Sequence, residues 1–275
     1  MNRFLLALSL FAISLVSQLA AQDYREIDVR NGGAIRGVIT LSGQPPAPDT
    51  VTVSSDATAC GKNKSLESVI VGPNGGLKNV IVSLQGITQG KKMPAHISAE
   101  MDQEKCEYAP HIVVLPKGAT LDIVNSDAVM HNVHAYDLTR ATKDQPAPPT
   151  LFNIAIPVKG MKIAKVMPQA GLYRFLCDAG HPWMNAYVLV TEHPYFAVTD
   201  EKGQYLIDNI PTGTYTVNIW HEGLCKIHAT TKSYAPGKPY EDSRKVTVSA
   251  GATSQQDFKL KVRPDETKEA KLTSH

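Results

Sequence analysis

The feature that most constrains the fold of this chain is a series of short runs rich in Val, Ile, Tyr and Thr, separated by Gly, Pro and Asn. Runs such as LKNVIVSL, ATLDIVN, NAYVLV and TYTVNIW have the length and composition of strands, and the residues between them are typical of turns. No long stretch of the sequence shows helical periodicity. The 275 residues suffice for roughly one to three domains. The pattern therefore predicts an all-β protein made of sandwiches or barrels.

Residues 1–21 have the order of a secretory signal peptide. A basic residue, Arg3, precedes an apolar run that continues to Val16, and small residues lead to the expected cleavage site at Ala21. The alternative is a single membrane anchor, but the apolar run is short for a bilayer span. We therefore expect an exported bacterial protein, periplasmic or secreted, with no integral membrane span after cleavage.

The charge balance argues against a nucleic-acid partner. The chain has 28 Lys and Arg residues against 26 Asp and Glu residues, so its formal net charge is +2. Nucleic-acid binding needs a concentrated basic field, which this composition does not supply. The charge-rich end of the chain has mixed signs, and we expect residues 263–275 to form a solvated tail.

The chain contains four cysteines, and an exported protein resides where disulfides persist. Cys60 and Cys106 have no histidine nearby at metal-binding spacing, so we expect them to form a disulfide. The alternative for this pair is two buried thiols. Cys177 and Cys225 then each need an explanation of their own.

Cys177, His181 and Met184 occur together in the stretch CDAGHPWM. Alternation along the preceding run, LYRFLC, puts Tyr173 and Phe175 on the same face as Cys177, so this cysteine ends a strand on its inward side. The turn that follows and the next strand, NAYVLV, place all three side chains in one loop at the end of a hairpin. A thiolate, an imidazole and a thioether are three of the four ligands of a mononuclear blue-copper site.

The remaining ligand of such a site is a second imidazole, which has to come from another segment. The stretch NSDAVMHNVHA offers His131 and His134, directly after the apolar run ATLDIVN. We prefer His131 because Asn132 follows it and can brace the ligand loop through hydrogen bonds. His134 is the second choice.

The stretch SDAVMHNVHAYD followed by YRFLCDAGHPWMNAYVLV resembles a cupredoxin of the plastocyanin type. That family places a His-Asn pair upstream and a Cys…His…Met loop near the end of the domain, and the resemblance covers residues 66–192. It implies a Greek-key β-sandwich that holds one type 1 copper. The loop spacing also resembles part of the copper loop in subunit II of cytochrome oxidase, but that dinuclear centre uses two bridging cysteines and this loop has only Cys177.

The stretch YFAVTDEKGQYLIDNIPTGTYTVNIWHE resembles a carboxypeptidase regulatory-like domain, which is a small transthyretin-like β-sandwich. GAIRGVITLSGQPPAP resembles the opening strands of the same family. The resemblance implies a structural or adhesive module and no peptidase. The expected layout is a signal peptide at 1–21, an N-terminal β segment resembling this module at 22–65, the cupredoxin domain at 66–192, a regulatory-like β-sandwich at 193–262 and the tail at 263–275.

This layout resembles exported bacterial proteins described as plastocyanin-like or methylamine-utilisation-like. The resemblance implies a protein that carries single electrons between redox partners, such as a cytochrome, an oxidase or a dehydrogenase, and that transforms no substrate. Two alternatives stay open. One is a copper delivery or storage protein, and the other is a structural or carbohydrate-binding surface protein that keeps the cupredoxin fold without metal.

The ligand loop also suggests where electrons would enter and leave. His181 closes the end of the domain, so we expect the outer edge of its ring to lie near the surface. Pro182 and Trp183 follow at once and are expected to form an apolar docking rim. The alternative for Trp183 is an ordinary place in the core, since large aromatic side chains are mostly buried.

His221, Cys225 and His228, in the stretch WHEGLCKIH, are candidate ligands of a second metal site. Their soft N and S donors suit a metal, but the sequence offers no fourth ligand that can be nominated. The alternative for Cys225 is a thiol that binds no metal.

Overall fold

The computed structural model describes residues 24–66, 68–94, 99–227, 234–235 and 237–264. The expected signal peptide, nearly all of the expected tail and His228 lie outside these residues. The described part consists of strands, one short α-helix and two 3-10 turns, which confirms the predicted all-β class. No helix in this part is long and apolar enough to cross a membrane.

The strands are short, as the sequence predicts. In chain order, those of the described residues are β1 (Arg25–Glu26), β2 (Gly33–Ser42), β3 (Thr50–Thr52), β4 (Asn63–Ser65), β5 (Ile81–Gln85), β6 (Gln89–Gly90), β7 (Ala99–Glu104), β8 (Glu107–Ala109), β9 (Ile112–Pro116), β10 (Thr120–Asn125), β11 (His131–Asp137), β12 (Thr150–Ile156), β13 (Lys162–Val166), β14 (Gly171–Leu176), β15 (Asn185–Thr191), β16 (Phe196–Val198), β17 (Gln204–Ile210), β18 (Gly213–His221), β19 (Lys226–Ile227), β20 (Tyr234–Ala235), β21 (Tyr240–Val248), β22 (Thr253–Gln255) and β23 (Phe258–Lys261). Helix α1 is Ala57–Cys60, and the 3-10 turns are Pro73–Gly75 and Leu138–Arg140.

The first β-sandwich is built from two sheets. The strand order is β13-β10-β7-β8 in one sheet and β12-β11-β14-β15-β9 in the other. Apolar side chains from both sheets, such as Met101, Leu121, Val133 and Phe175, are buried in one core. β11 and β15 begin, and β14 ends, at the same end of this sandwich, and the candidate ligands lie there.

The second β-sandwich consists of the sheets β16-β5-β18-β21 and β17-β2-β22, with β23 also paired to β2. Its buried side chains, such as Ile35, Leu84, Tyr205 and Val217, form a separate core. β2 pairs antiparallel with β17 and parallel with β22 and β23. β2, which lies near the start of the chain, therefore pairs inside a sheet whose other strands come from the C-terminal part of the chain.

This pairing corrects two of the expected domain boundaries. Residues 22–65 do not form a segment of their own, because β2 belongs to the second sandwich and residues from 53 to 66 pack into the first core. The expected domain at 66–192 also includes β5, which pairs with β16 and β18 in the second sandwich. The two stretches that resemble regulatory-like domains therefore share one core. Local composition identifies a strand but not its partner, since both antiparallel and parallel pairing here join segments that are distant in sequence.

Residues 50–66 form a segment, named the cap segment, that covers the ligand end of the first sandwich. In it β3 pairs antiparallel with β4, and α1 lies between them. Val53, Cys60 and Leu66 of this segment are buried in the first core. The Cys60–Cys106 disulfide predicted from the sequence is present, and it ties α1 to the turn between β7 and β8.

Candidate metal centre

The alternation predicted for LYRFLC is present in β14. Tyr173 and Phe175 are buried, whereas Leu172 and Arg174 lie on the more exposed face. Cys177 follows the strand on the buried side. Because the strand delivers Cys177 inward at its very end, the turn that follows can place further side chains beside the sulfur.

The loop after Cys177 is a tight turn held against the cap segment. Gly180 has a φ of +87°, a conformation that side chains rarely adopt, and a Cβ there would lie 3.3 Å from Ser55 Oγ. Met184 N donates a hydrogen bond of 2.9 Å to His181 O, which closes the turn before β15. Backbone geometry and the cap segment thus fix the direction of the loop.

Three potential ligand atoms converge at this end of the sandwich. His131 Nδ1 lies 3.1 Å from His181 Nδ1. Cys177 Sγ lies 3.6 Å from His181 Nδ1 and 4.0 Å from His131 Nδ1. Metal–nitrogen bonds of about 2.0 Å and metal–sulfur bonds of about 2.3 Å separate the ligand atoms of one ion by roughly 3–4 Å, so these three atoms fit a single ion.

Both histidines use their other ring nitrogen to bind a carboxylate. His131 Nε2 donates to Asp127 Oδ2 at 2.9 Å, and His181 Nε2 donates to Asp56 Oδ2 at 3.2 Å. A carboxylate only accepts, so each Nε2 carries the proton and each Nδ1 of a neutral ring keeps a lone pair. Burial, with a smaller effect of His131, lowers the pKa of His181 and favours its neutral ring. When both rings are neutral, their Nδ1 lone pairs face each other across 3.1 Å, an arrangement that a bound cation stabilises.

The Cys177 sulfur is the third donor. Burial raises the pKa of the Cys177 thiol, and backbone hydrogen bonds from Asn132 and Ala179 offset only part of that effect. Without metal the sulfur therefore carries a proton at neutral pH. A metal that binds there has to displace this proton, which couples affinity to pH.

Met184, the expected fourth ligand, is buried in the same core cluster as Cys177. It also lines a cavity of about 380 Å³, together with Tyr108, Trp183 and Cys225 among others. Its role as the fourth ligand stays a prediction.

The second-choice histidine, His134, lies on the more exposed face of β11. Its Nδ1 contacts Asp178 Oδ2 at 2.7 Å, and its Nε2 contacts Thr150 Oγ1 at 2.8 Å. Both ring nitrogens are thus engaged away from Cys177. The structure brings His131, and not His134, to the converging atoms.

Asn132 braces the ligand loop through the hydrogen bonds that the sequence predicts. Its Oδ1 accepts from Asp178 N at 2.5 Å and from Ala179 N at 3.1 Å. Its Nδ2 donates to Asn153 Oδ1 at 2.7 Å, which anchors the amide to β12. The turn after Cys177 is therefore fixed to the strand that carries His131.

The expected exposure of the His181 ring edge and of Trp183 is wrong. His181 is 0% exposed because the cap segment covers it through Asp56 and Cys60. Trp183 is 7% exposed, and its Nε1 donates a hydrogen bond of 2.8 Å to Cys106 O. Pro182 is half-buried. Trp183 is thus a core residue, the alternative that the sequence left open, and the loop sequence alone could not reveal a cover that comes from a distant segment.

Sequence reasoning missed Asp56 and Asp127. Asp127 precedes His131 by four residues, a spacing that could have drawn attention to it. Asp56 gives no local signal, because it lies 125 residues before His181.

The expected second metal site is not assembled in the described residues. Cys225 Sγ donates to Glu222 Oε2 at 3.0 Å, and His221 Nδ1 accepts from Gly223 N at 3.1 Å. His228 lies outside the described residues. Within those residues, the groups of His, Cys, Asp and Glu that could hold one ion include neither His221 nor Cys225.

A buried ion pair connects the two sandwiches. His111 Nε2 is in direct contact with Glu222 Oε1, and Asn185 Nδ2 donates to Glu222 Oε2 at 2.9 Å. Burial alone would raise the pKa of Glu222, but the charge and hydrogen bond of His111, with smaller contributions from His221 and Cys225, lower it to about 2. Burial lowers the pKa of His111, yet Glu222 and the carbonyl of Asn185 raise it overall. The pair is therefore charged at mildly acidic pH.

Comparisons with known proteins give one family match and several structural neighbours. No curated protein sequence matches the chain. Residues 177–261 match the family model of the carboxypeptidase regulatory-like domain. A purple cupredoxin from Nitrosopumilus maritimus is 24% identical over 34% of this chain and 100% of its own, with a TM-score of 0.29. Amicyanin from Paracoccus versutus is 26% identical over 36% of this chain and 86% of its own, with a TM-score of 0.28.

A copper-containing nitrite reductase from Thermus scotoductus is 19% identical over 40% of this chain and 26% of its own, with a TM-score of 0.27. The chain is thus similar to the two kinds of domain that its motifs indicated, cupredoxins and carboxypeptidase regulatory-like domains.

Proposed function

We propose that this chain is an exported mononuclear type 1 copper protein that carries single electrons between redox partners. His131, Cys177 and His181 would hold the copper, with Met184 as a weak axial ligand. The protein acts as a carrier and not as an enzyme. Its partners are redox proteins such as a cytochrome, an oxidase or a dehydrogenase.

The observation that carries this proposal is the convergence of two histidine Nδ1 atoms and one cysteine sulfur in a buried site. Such a set is costly without a cation, because buried polar groups need partners. Two imidazoles and a thiolate are the equatorial donors of a type 1 copper site. Bound copper would supply a one-electron Cu(I)/Cu(II) couple.

Burial of the donors favours a carrier over a delivery protein. His131 and His181 are fully buried and Cys177 is 5% exposed. Delivery requires the ion to pass to an acceptor, which is slow when every donor lies beneath protein. A carrier needs the donors to keep their positions in both oxidation states, and Asn132 together with the ends of β11 and β14 provides that rigidity.

The remaining roles follow from the same contacts. Cys177, once deprotonated, donates strongly to the ion, and the histidines set the equatorial geometry. The Cys60–Cys106 disulfide supports export, since disulfides persist in oxidising compartments. The second sandwich would serve as a rigid support joined to the first through His111 and Glu222.

The test is to load the mature protein with Cu(II) and to record absorption and EPR spectra. We expect one copper per chain, an intense visible thiolate-to-copper band and reversible one-electron reduction. Cys177→Ser should abolish the band, whereas Cys225→Ser should keep it, which makes the second buried cysteine outside the disulfide a matched control.

Three results would contradict the proposal in different ways. A band that survives in Cys177→Ser would refute the ligand set. Release of Cu(I) to a weak chelator after reduction would favour delivery or storage. A folded protein that binds no copper would favour a structural or carbohydrate-binding surface protein.

A further inference from the structure

The carboxylates of Asp56 and Asp127 occupy equivalent positions on the two candidate ligand histidines. Each accepts a hydrogen bond from the Nε2 of its histidine, at 3.2 Å for His181 and at 2.9 Å for His131. The two acids come from different parts of the chain, the cap segment and the loop before β11. Because each candidate ligand histidine has such a carboxylate, the two acids can act on both imidazoles of the site in the same way.

The side chain of Asp56 does not serve the helix that it starts. An Asp at the N-cap ordinarily accepts a hydrogen bond from a backbone N–H of the first helical turn. Asp56 is the N-cap of α1, yet its side chain makes no such bond, and its φ of 60° lies in the left-handed region. The carboxylate contacts His181 instead. The Asp56 carboxylate therefore contacts His181 in place of the capping hydrogen bond that would stabilise the helix.

Asp127 is held by backbone donors from another hairpin. Its Oδ1 accepts from Lys105 N at 2.8 Å, and its Oδ2 accepts from Cys106 N at 2.7 Å in addition to His131 Nε2. Lys105 and Cys106 form the turn between β7 and β8, with φ values of 54° and 57°. Three donors thus fix this carboxylate relative to the ring of His131.

One covalent link connects both arrangements. Cys60 ends the helix that Asp56 caps, Cys106 donates its N–H to Asp127, and the two cysteines form the disulfide. Cys60 Sγ also lies 3.6 Å from His181 Nε2. The disulfide therefore fixes the spacing between the elements that position the two carboxylates.

We propose that Asp56 and Asp127 are positioning residues that keep both imidazoles in the Nε2–H tautomer and bias bound copper towards its +2 state. The redox part of this inference rests on the proposed function. A nearby negative charge stabilises the more positive ion more strongly, and carboxylate acceptors raise the basicity of ligating imidazoles. The Asp127 side chain is 10% exposed against 38% for Asp56, so solvent screens it less and its effect is the larger one.

The experiment compares Asp56→Asn and Asp127→Asn with the unaltered protein. Asn keeps an acceptor oxygen for the histidine Nε2 and removes the charge, so the contact with the ring is retained while the electrostatic effect is lost. At position 127 the amide nitrogen replaces the Oδ1 that accepts from Lys105 N, so circular dichroism is recorded to confirm folding. Asp122→Asn is the matched control, because Asp122 lies in the first sandwich and pairs with Lys162 rather than with a histidine. The readouts are the reduction potential by spectroelectrochemical titration and the histidine tautomers by ¹⁵N NMR of the metal-free protein.

We expect Asp127→Asn to lower the ratio of Cu(II) affinity to Cu(I) affinity about tenfold, the lower end of the range for losing a group that hydrogen-bonds a metal ligand. A tenfold change in this ratio raises the reduction potential by about 59 mV. Asp56→Asn should raise it less, and Asp122→Asn should leave it unchanged. Both His131 and His181 should be Nε2–H in the metal-free protein.

Unchanged potentials in both Asn variants would overturn the redox role, and an Nδ1–H tautomer at either histidine would overturn the positioning role. A protein that binds no copper would refute the proposed function and the redox role together. The tautomers of the metal-free protein would then still decide the positioning role by themselves.

Discussion

His131 Nδ1 and His181 Nδ1 lie 3.1 Å apart at the buried end of the first sandwich, although fifty residues separate them in the chain. Antiparallel pairing of β11 with β14 brings His134 opposite Leu176, so the start of one strand and the end of the other meet at the same edge. The loop that follows β14 then turns His181 back towards His131. This relationship between two side chains is the basis of the predicted metal chemistry.

The first prediction separates the two histidines of β11. His131→Gln should abolish the visible band of the Cu(II)-loaded protein, because it removes one converging nitrogen. His134→Gln should retain the band, since both nitrogens of His134 are engaged with Asp178 and Thr150. Absorption spectra at matched copper loading provide the measurement, with circular dichroism to confirm folding. If His134→Gln abolishes the band and His131→Gln retains it, the ligand is His134 and not His131.

The second prediction concerns Trp183. Trp183→Phe removes the hydrogen bond to Cys106 O and leaves a buried carbonyl without that donor. The expected loss in free energy of unfolding is about 1–3 kcal/mol, measured by urea denaturation, with the copper spectrum retained. Trp183→Lys should lose stability and spectrum together, because it buries an unpaired charge. A Trp183→Lys variant with normal stability and a normal copper spectrum would instead show that Trp183 is exposed, as the docking-rim prediction requires.

The third prediction concerns the disulfide. Replacing Cys60 and Cys106 by serine opens a loop with a sequence separation of 46 residues. The chain-entropy model gives a loss of about 4 kcal/mol in free energy of unfolding for a loop of this length. The cap segment should also loosen, so His181 should become reactive towards diethyl pyrocarbonate, detected by mass spectrometry. Cys225→Ser, which removes no cross-link, is the control, and equal His181 reactivity in both variants would argue against the covering role.

The fourth prediction concerns the pH dependence of the ion pair between the sandwiches. The pKa of Glu222 lies below its ordinary value of 4.5, so its contribution to stability is present above pH 4.5 and is lost as the pH falls towards 2. The pKa of His111 lies above 6.5, so its contribution is present below pH 6.5 and is lost as the pH rises through the raised value. The coupling should therefore be greatest between about pH 4.5 and 6.5.

A double-mutant cycle with Glu222→Gln and His111→Gln measures this coupling. Unfolding midpoints are recorded from pH 3 to pH 9, and the interaction energy is the non-additive part. Glu222 also faces His221 and Cys225, and the cycle cancels their contributions because Glu222→Gln changes them equally with and without His111. A coupling energy that does not change with pH would show that the contact is not an ion pair.

The strands, the inward face of β14 and the residue types of the ligand loop are predictable from local sequence patterns. Tyr173 and Phe175 are buried as their alternation with Cys177 predicts, and Asn132 makes the hydrogen bonds expected of it. These features are local, because side-chain direction in a strand has a period of two and a tight turn sets the positions of its own residues. The Cys60–Cys106 pairing was also predictable, since it followed from the cysteine count and the expected export.

The segments that cover the site and the strands that share a core are apparent only in the folded protein. β2 and β5 belong to the second sandwich, Asp56 reaches His181 from 125 residues away, and the cap segment buries the ring that the loop sequence alone would leave exposed. Strand pairing and core packing join residues irrespective of their separation in the chain, so a local sequence pattern cannot predict these contacts. Three of the four candidate ligands lie in one loop, whereas the position of His131 beside them and the surroundings of the site depend on the whole fold.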